Sequence, residues 1–584
     1  MGNFFTDNED IQFLFEHLDM PRAAAIMEED FRFAGEFEQA PKNAQEAVEN
    51  YRRILTNLGR IAADEIAPTA NETDEVGNIL NDDNTVTYTP GIRKALDLLG
   101  EAGLMGLTLP HRFGGLNCPN LMLTITNDII SRADASLMNL YGLQGIGETI
   151  NSYAVEEIRK DYLPDLAAGK TTAAMVLTEP ESGSDLQSVQ AKAWQDDKGN
   201  WFVTGHKRFI TNGCGDVLLV MVRSEPEITD GRGLSLFLVE KGPRVQIRRL
   251  ENKLGIHGSP TCELYFDDAP GKLIGERQQG LIKYVMALMY GARLGIAAQA
   301  CGIGEAAYRV ARDYAHTRKQ FGAAIEVFPA VRELLVESHV DLQAARALTY
   351  FASHCVDIQV GAERKLEADS FASDEEKKQV KAEARAYKRF GGMLTPMAKY
   401  YASEMCMRVA MNGISVMGGN GYMHDYPLER HLRDSRITTI YEGTTQMQIV
   451  AGVGGVTSGI AENLLNDVLD RHWPADISEQ IETIRGAMND LAEVVTFVKD
   501  EPDANYRRLY ARKLVDMALV LIIGALFCDQ ATADENKKTV ARYWLATRMP
   551  EFRRNREMIC SGERSILTDF EVLAPEPERE PALV

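Results

Sequence analysis

The apolar spacing of this chain changes period twice, and that change limits its fold more than any other feature. From Ala47 to about Lys170 apolar residues recur at helical intervals, as in Val48, Tyr51, Leu55, Leu58 and Ile61, and again from Leu121 to Ile130. From Thr172 to Phe266 the apolar runs become short, and several are β-branched or aromatic: 172–178, 201–204, 217–222, 234–239, 245–250 and 263–266. Turns such as Asp197-Lys198-Gly199-Asn200 separate them, so this part predicts an antiparallel β-barrel or sandwich. Helical spacing returns at Leu281. The pattern predicts an α+β multidomain protein with an extension at 1–45, a helical domain at 46–171, a β domain at 172–280 and a helical bundle at 281–455. Gly452, Gly454, Gly455 and Gly459 read as a linker to a further helical domain at 461–571, with Ile481, Ile484, Met488, Leu491, Val494 and Val495 on one stripe. The Glu/Lys/Ala-rich stretch from Arg364 to Arg389 predicts a solvated helical hairpin, and the Pro/Glu-rich end at 572–584 a disordered tail.

At 584 residues the chain is too long for one core, in keeping with several domains. Its formal charge of −22 opposes broad contact with nucleic acid or an anionic membrane, while leaving room for an anionic ligand held by a few cations. The eight cysteines are scattered without a C-x-x-C pair, which favours a reducing compartment and a cytoplasmic location over a disulfide framework. His424 and His431 are seven residues apart with no third ligand nearby, so no metal is expected. The acidic N-terminus does not read as a secretory signal. The longest apolar run, Met517–Cys528, is too short for a membrane span and reads as a buried helix. No G-x-G-x-x-G follows a strand, so a Rossmann dinucleotide site is not expected.

The segment Ile440-Tyr441-Glu442-Gly443-Thr444-Thr445-Gln446 points most directly to chemistry. It sets one carboxylate, with no cation beside it in sequence, before a glycine and a row of neutral hydrogen-bonding groups. Such an acid suits a general base in an apolar pocket, where burial raises its pKa toward working pH. Upstream lie four other patterned stretches: Thr178-Glu179-Pro180-Glu181-Ser182-Gly183-Ser184-Asp185; Gly205 to Gly213; Gly255-Ile256-His257-Gly258-Ser259-Pro260-Thr261; and Arg318-Lys319-Gln320-Phe321-Gly322. Together with Glu442 and the turn Gly418-Gly419-Asn420-Gly421, these resemble, in order, the signatures of the acyl-CoA dehydrogenases. The variant turn with His257 and Pro260 resembles the large branch that includes 3-methylthiopropionyl-CoA dehydrogenases.

The resemblance implies a helical, β, helical fold of that family with an extra C-terminal helical domain, and FAD as cofactor. It implies that Glu442 removes the α-proton of an acyl-CoA thioester while the β-hydride passes to flavin N5. The thioester oxygen would be held by the Glu442 N–H and an FAD hydroxyl, an oxyanion hole worth on the order of 3 kcal/mol per donor. Thr178, Gly183, Ser184, Phe209, Thr211, Thr444 and Gln446 match flavin-binding positions; Phe209 stands where many relatives carry Trp, and it can stack but cannot donate. Arg318 and Phe321, with Gly418 and Gly419, would reach the FAD of a neighbouring subunit, which implies at least a dimer; Ser415 stands where many relatives have Gln. Ser184, Arg293, Tyr441 and Gly443 match substrate-binding positions, and Ala292 occupies the place where some relatives carry their base. Met138, Tyr141, Met286, Met289 and Tyr290 are candidates to line the acyl pocket. His257 is either a catalytic residue or a hydrogen-bonding turn histidine. Electron-transferring flavoprotein is the implied acceptor. An acyl-CoA oxidase and a flavin-loaded binding protein of the same fold are the alternatives, and the acyl chain stays open among straight, thioether-bearing and alicyclic forms.

Overall fold

The computed structural model describes residues 2–369, 371 and 373–577. The chain forms two compact units: Met1–Gly391 with Ala398–Thr445, and Gly392–Met397 with Gln446–Val584. In the first unit the N-terminal extension is part of the core. Phe5, Ile11, Leu14, Phe15 and Met20 are buried in one cluster with Leu55, Ile125, Ile129 and Tyr350. Its helices Glu9–His17 and Met20–Met27 begin at side-chain caps, Asn8 accepting from the Ile11 N–H and Asp19 from the Arg22 N–H.

Seven strands build the β domain: β1 Ala173–Val176, β2 Lys192–Gln195, β3 Trp201–Thr211, β4 Val217–Arg223, β5 Leu234–Glu240, β6 Val245–Leu250 and β7 Thr261–Ile274. Neighbours run β4–β5–β7–β3–β2, and a Lys192–Arg223 pairing of β2 with β4 closes the ring, so the sheet is a barrel. Most pairings are antiparallel as expected, but β1 runs parallel to β4, along the edge of β4 opposite β5. Strand β2 was missed because only Ala193 in it is buried, leaving no apolar run to see. β3 and β7 are longer than their apolar cores. Their pairing slips between Val203 and Gly205 and again between Lys207 and Ile210, and the second slip sets Phe209 in the left-handed region (φ 60°).

The bundle comprises helices Met286–Thr317, Pro329–Ala368, Asp374–Met417 and Leu428–Thr438. Helix Met286–Thr317 lies so close along Asn120–Ala133 that a Cβ on Gly302 would stand 2.3 Å from the Asp128 carbonyl oxygen. With the turn before it, this stretch (Gly280–Thr317) is long and apolar enough to cross a membrane by length and composition; here it packs against other helices of the same unit. The charged stretch does form a hairpin: one helix ends at Ala368, and the next starts at Asp374, where Ser373 Oγ accepts from the Glu376 N–H.

In the second unit, helices Ser478–Asp500, Ala504–Gln530 and Glu535–Cys560 pack together. Residues 517–528 are buried throughout, and Trp544 Nε1 donates to the Val520 carbonyl (2.9 Å). Ile481, Ile484, Leu491 and Val494 are buried as expected, joined by Ala487 and Val498, while Met488 and Val495 are only half-buried. The glycines read as a linker do not form one. Gly452, Gly454 and Gly455 lie inside helix Thr445–Thr457, where a Cβ on Gly455 would meet the Met393 side chain at 2.4 Å. Of the expected disordered tail, Val572 and Leu573 end a short helix, Phe570–Leu573, and residues 578–584 lie outside the described residues.

Candidate active site

Glu442 sits between helices Leu428–Thr438 and Thr445–Thr457, in a turn too tight for ordinary backbone. Glu442 (φ 53°) and Gly443 (φ 90°) are both left-handed. A non-glycine residue held there costs on the order of 1 kcal/mol, and such strain gathers at functional sites. The turn is fixed from several sides. The Thr445 N–H donates to the Thr439 carbonyl (2.9 Å), and Thr445 Oγ1 donates to Glu404 (2.8 Å). Lys399 Nζ donates to the Gly443 carbonyl (2.7 Å). The Tyr441 hydroxyl is shared between Asn139 Oδ1 (3.0 Å) and Gln299, whose own amide donates to the Ala135 carbonyl and to Asn139 Oδ1 (each 2.9 Å).

The Glu442 side chain lines a pocket of about 90 Å³ within the first unit. Its walls come from helices Asn120–Ala133, Ala135–Tyr141, Gly145–Tyr153 and Met286–Thr317, with Met175 of β1 and Thr211 of β3. Desolvation raises the Glu442 carboxyl to about 7, against the opposing pull of Lys399 and Arg293. The chain thus brings two cations to an acid that has none beside it in sequence. Lys399 is fully buried, and burial lowers its ammonium to about 7 although Glu442 favours the charged form. Arg293 is half-buried near Tyr290 and Glu442, with its Nε lacking a protein partner.

Among the expected pocket residues, Met138 lines the cavity, while Leu288, Gly291 and Ala292 take the part expected of Met286, Met289 and Tyr290. Tyr141 is buried and donates to Thr126 Oγ1 (3.1 Å). Thr211 lines the pocket, and Phe209, 54% exposed, presents an aromatic face beside it in sequence. Thr178 is half-buried, its carbonyl accepting from the Arg208 N–H (2.9 Å), and Gly183 and Ser184 are exposed in the loop that follows. Two motif residues are structural. Lys207 Nζ, fully buried, contacts Glu179 (2.9 Å) and donates to the carbonyls of Leu177 and Met221, tying the loop to the strand. His257 is likewise engaged at both ring nitrogens: Nδ1 meets Asp74 (3.0 Å) and Nε2 the Lys253 carbonyl (2.8 Å). The Asp74 hydrogen bond holds it cationic, raised to about 9, which favours the turn role over acid–base work.

Arg318 and Phe321 lie away from the pocket lining, on a hairpin where Phe321 is 96% exposed. The exposed Gly418 and Gly419 adjoin the same region, because Asn420 Nδ2 donates to the Tyr314 hydroxyl (3.1 Å) one turn before Arg318. Thr444 is half-buried beside Glu442; Gln446 is exposed and opens the second unit. Sequence reasoning missed Asn139, Gln299 and Lys399. Gln299 did carry a signal, as a polar residue inside the small-residue run Ala297-Ala298-Gln299-Ala300.

Residues 49–170, 174–269 and 279–452 match the N-terminal, middle and C-terminal domains of acyl-CoA dehydrogenases. The chain therefore belongs to the acyl-CoA dehydrogenase family of oxidoreductases. An acyl-CoA dehydrogenase of Bacillus subtilis is 36% identical over 358 residues, covering 60% of this chain and 86% of the relative. A 3-methylmercaptopropionyl-CoA dehydrogenase of Ruegeria pomeroyi is 31% identical over 432 residues, 69% of each chain. The crystal structure of an acyl-CoA dehydrogenase from Bacillus anthracis complexed with FAD matches with a TM-score of 0.75 over 92% of both chains, at 23% identity, so the shared fold takes in C-terminal helices as well.

Proposed function

We propose that the chain is an FAD-dependent dehydrogenase that converts an acyl-CoA thioester to its 2-enoyl-CoA, with Glu442 as the base. The observation that carries this reading is one carboxylate in a left-handed turn, at the wall of a mostly apolar pocket, with its pKa raised to about 7. The cofactor is FAD, and the residues present suit it: a bulged Phe209 offering its ring, Thr211 at the pocket wall and the open loop around Gly183 and Ser184. When bound, FAD supplies the acceptor for the β-hydride.

Glu442 takes the α-proton. Near pH 7 a base of this pKa is about half ionised, and it is basic enough to remove a proton from a carbon acid. The Glu442 N–H serves as a donor to the thioester oxygen, where charge develops as the proton leaves. Tyr441, pinned by Asn139 and Gln299, and Lys399, bonded to the Gly443 carbonyl, hold that turn still. The hairpin carrying Arg318 and Phe321, with the Gly418–Gly419 turn, is an exposed surface suited to the cofactor of a second subunit, so the working form is at least a dimer. Electrons leave to an electron-transferring flavoprotein.

The test is anaerobic. Short acyl-CoA thioesters added to the purified yellow protein bleach its flavin, and the Glu442→Gln protein keeps its flavin but does not bleach. A protein that no thioester in the panel bleaches is a binding protein, and one that reoxidises rapidly in air is an oxidase.

A further inference from the structure

The acyl pocket owes part of its room to side chains that are missing. Gly142, Gly145, Gly291 and Gly295 all line it. None of the four has left-handed backbone, and the atoms nearest to them are side-chain atoms. A Cβ on Gly145 would stand 3.5 Å from Leu288 Cδ1, an ordinary contact, and one on Gly291 would meet no described atom within 4 Å. Gly302 on the same helix as Gly291 and Gly295 is the contrary case, since a Cβ there would strike the Asp128 carbonyl oxygen. Glycine inside a helix weakens it relative to alanine. Gly291 and Gly295 therefore keep space on the cavity wall at a cost to the helix that carries them.

Met138 fills the part of that space between two of the glycines. Its Cε lies 3.1 Å from where a Cβ on Gly142 would stand and 3.4 Å from the same position on Gly295, so one methyl group faces both. Its Sδ is 3.7 Å from the Gly142 position. The side chain is buried and lines the cavity. No other apolar side chain of the lining faces two of these glycines. The backbone beneath it is fixed: helix Ala135–Tyr141 starts at Asp134, which accepts from the Ser136 and Leu137 N–H groups (2.7 and 3.2 Å), and Asn139 is bonded to the Tyr441 hydroxyl (3.0 Å). What can move is the side chain, unbranched and turning about three bonds.

Resting on the dehydrogenase reading above, we infer that Met138 is the residue that sets the size preference for the acyl group. Its methyl stands in space that a bulkier acyl group would use, between two positions that have no side chain of their own. A bulky group binds by displacing that methyl, and the contacts it gives up count against the substrate. Shortening Met138 joins the slot between Gly142 and Gly295 to the cavity, while a side chain grown from Gly295 fills the same slot from the facing helix.

The test follows the FAD-loaded enzyme with an artificial electron acceptor on butanoyl-, octanoyl- and cyclohexanecarbonyl-CoA. The readout is kcat/KM for each larger thioester relative to butanoyl-CoA. Met138→Ala should raise at least one of the two ratios by about tenfold or more, the usual worth of a few carbon atoms in an apolar pocket. Adding Gly295→Leu to Met138→Ala should bring the ratio back toward wild type, a reversal that general loosening of the fold would not give. Should Met138→Ala not fold, Met138→Leu, whose side chain ends one atom sooner, should move the ratios the same way by a smaller factor. Ratios within about twofold of wild type in the folded variant, or a rise that Gly295→Leu does not reverse, overturn the inference. The dehydrogenase reading stands in that case, provided that any of the three thioesters bleaches the wild-type flavin. Failure of all three to bleach it overturns both.

Discussion

Two buried clusters of charge in this molecule look alike and work differently. In one, Arg346 sits 1% exposed between Asp128, Glu305 and Asp10 (2.8, 3.0 and 3.1 Å), with the Tyr350 hydroxyl also donating to Asp128 (2.9 Å). In the other, Glu442 and Lys399 face a cavity, and burial draws the two toward a common pKa near 7. Around Arg346 the guanidinium fork is matched by carboxylates, and Glu305 is held down to about 2 by Arg346 and Arg309 in spite of its burial. Burial pushes the Asp128 carboxyl up despite Arg346, yet every member of the cluster has a partner within it, and the cluster joins the N-terminal segment to helices Asn120–Ala133, Met286–Thr317 and Pro329–Ala368. At Glu442 burial outweighs the pull of Lys399 and Arg293, and a group whose proton is loosely decided at neutral pH is one that can give or take it.

The contrast can be broken most forcefully at Glu442 itself. Glu442→Gln should lower turnover by about a hundredfold to ten-thousandfold with flavin retained and melting little changed, since a general base contributes roughly 10²–10⁴. Retained turnover would remove the distinction between the clusters. At the other cluster, Arg346→Met strands buried carboxylates and should cost about 3–5 kcal/mol in denaturant unfolding, and a variant as stable as wild type would show that this network holds nothing. Lys399→Met sharpens the comparison. Lys399 lowers the Glu442 pKa, so its loss should move the ascending limb of kcat/KM against pH upward by roughly half to one unit; an unmoved limb would reduce Lys399 to a backbone clamp.

The smallest effect is expected at His257, which meets Asp74 and the Lys253 carbonyl, Asp74 being bonded in turn by Arg433. Its pKa is raised in the fold, so its contribution is complete below about 6.5 and lost as pH rises through about 9. His257→Gln should therefore cost on the order of 1 kcal/mol at pH 6 and almost nothing at pH 10, once solvent screening is allowed for. A loss independent of pH would mean that only packing is at stake.

The period changes at Thr172 and Leu281 made the succession of helical, β and helical regions legible, because burial on one face imposes the spacing of the secondary structure beneath it. Glu442 was legible through its motif. Lys399 was not: it lies 43 positions away on a helix whose mate is known only once the fold exists. The Gly452–Gly455 run misled for a related reason. Glycines that admit a methionine into a helix face look in sequence like glycines that let a chain bend.

Helix Asp374–Met417 is counted in both compact units: its Gly392–Met397 turns group with the C-terminal helices, and Lys399, two residues on, reaches the catalytic turn. No single cut in the polypeptide can therefore detach the C-terminal region cleanly. A truncation before Gln446 would strip the cover from Met393 and Met397 one turn from the lysine that braces Gly443, so removing those helices should be felt in the chemistry as much as in solubility.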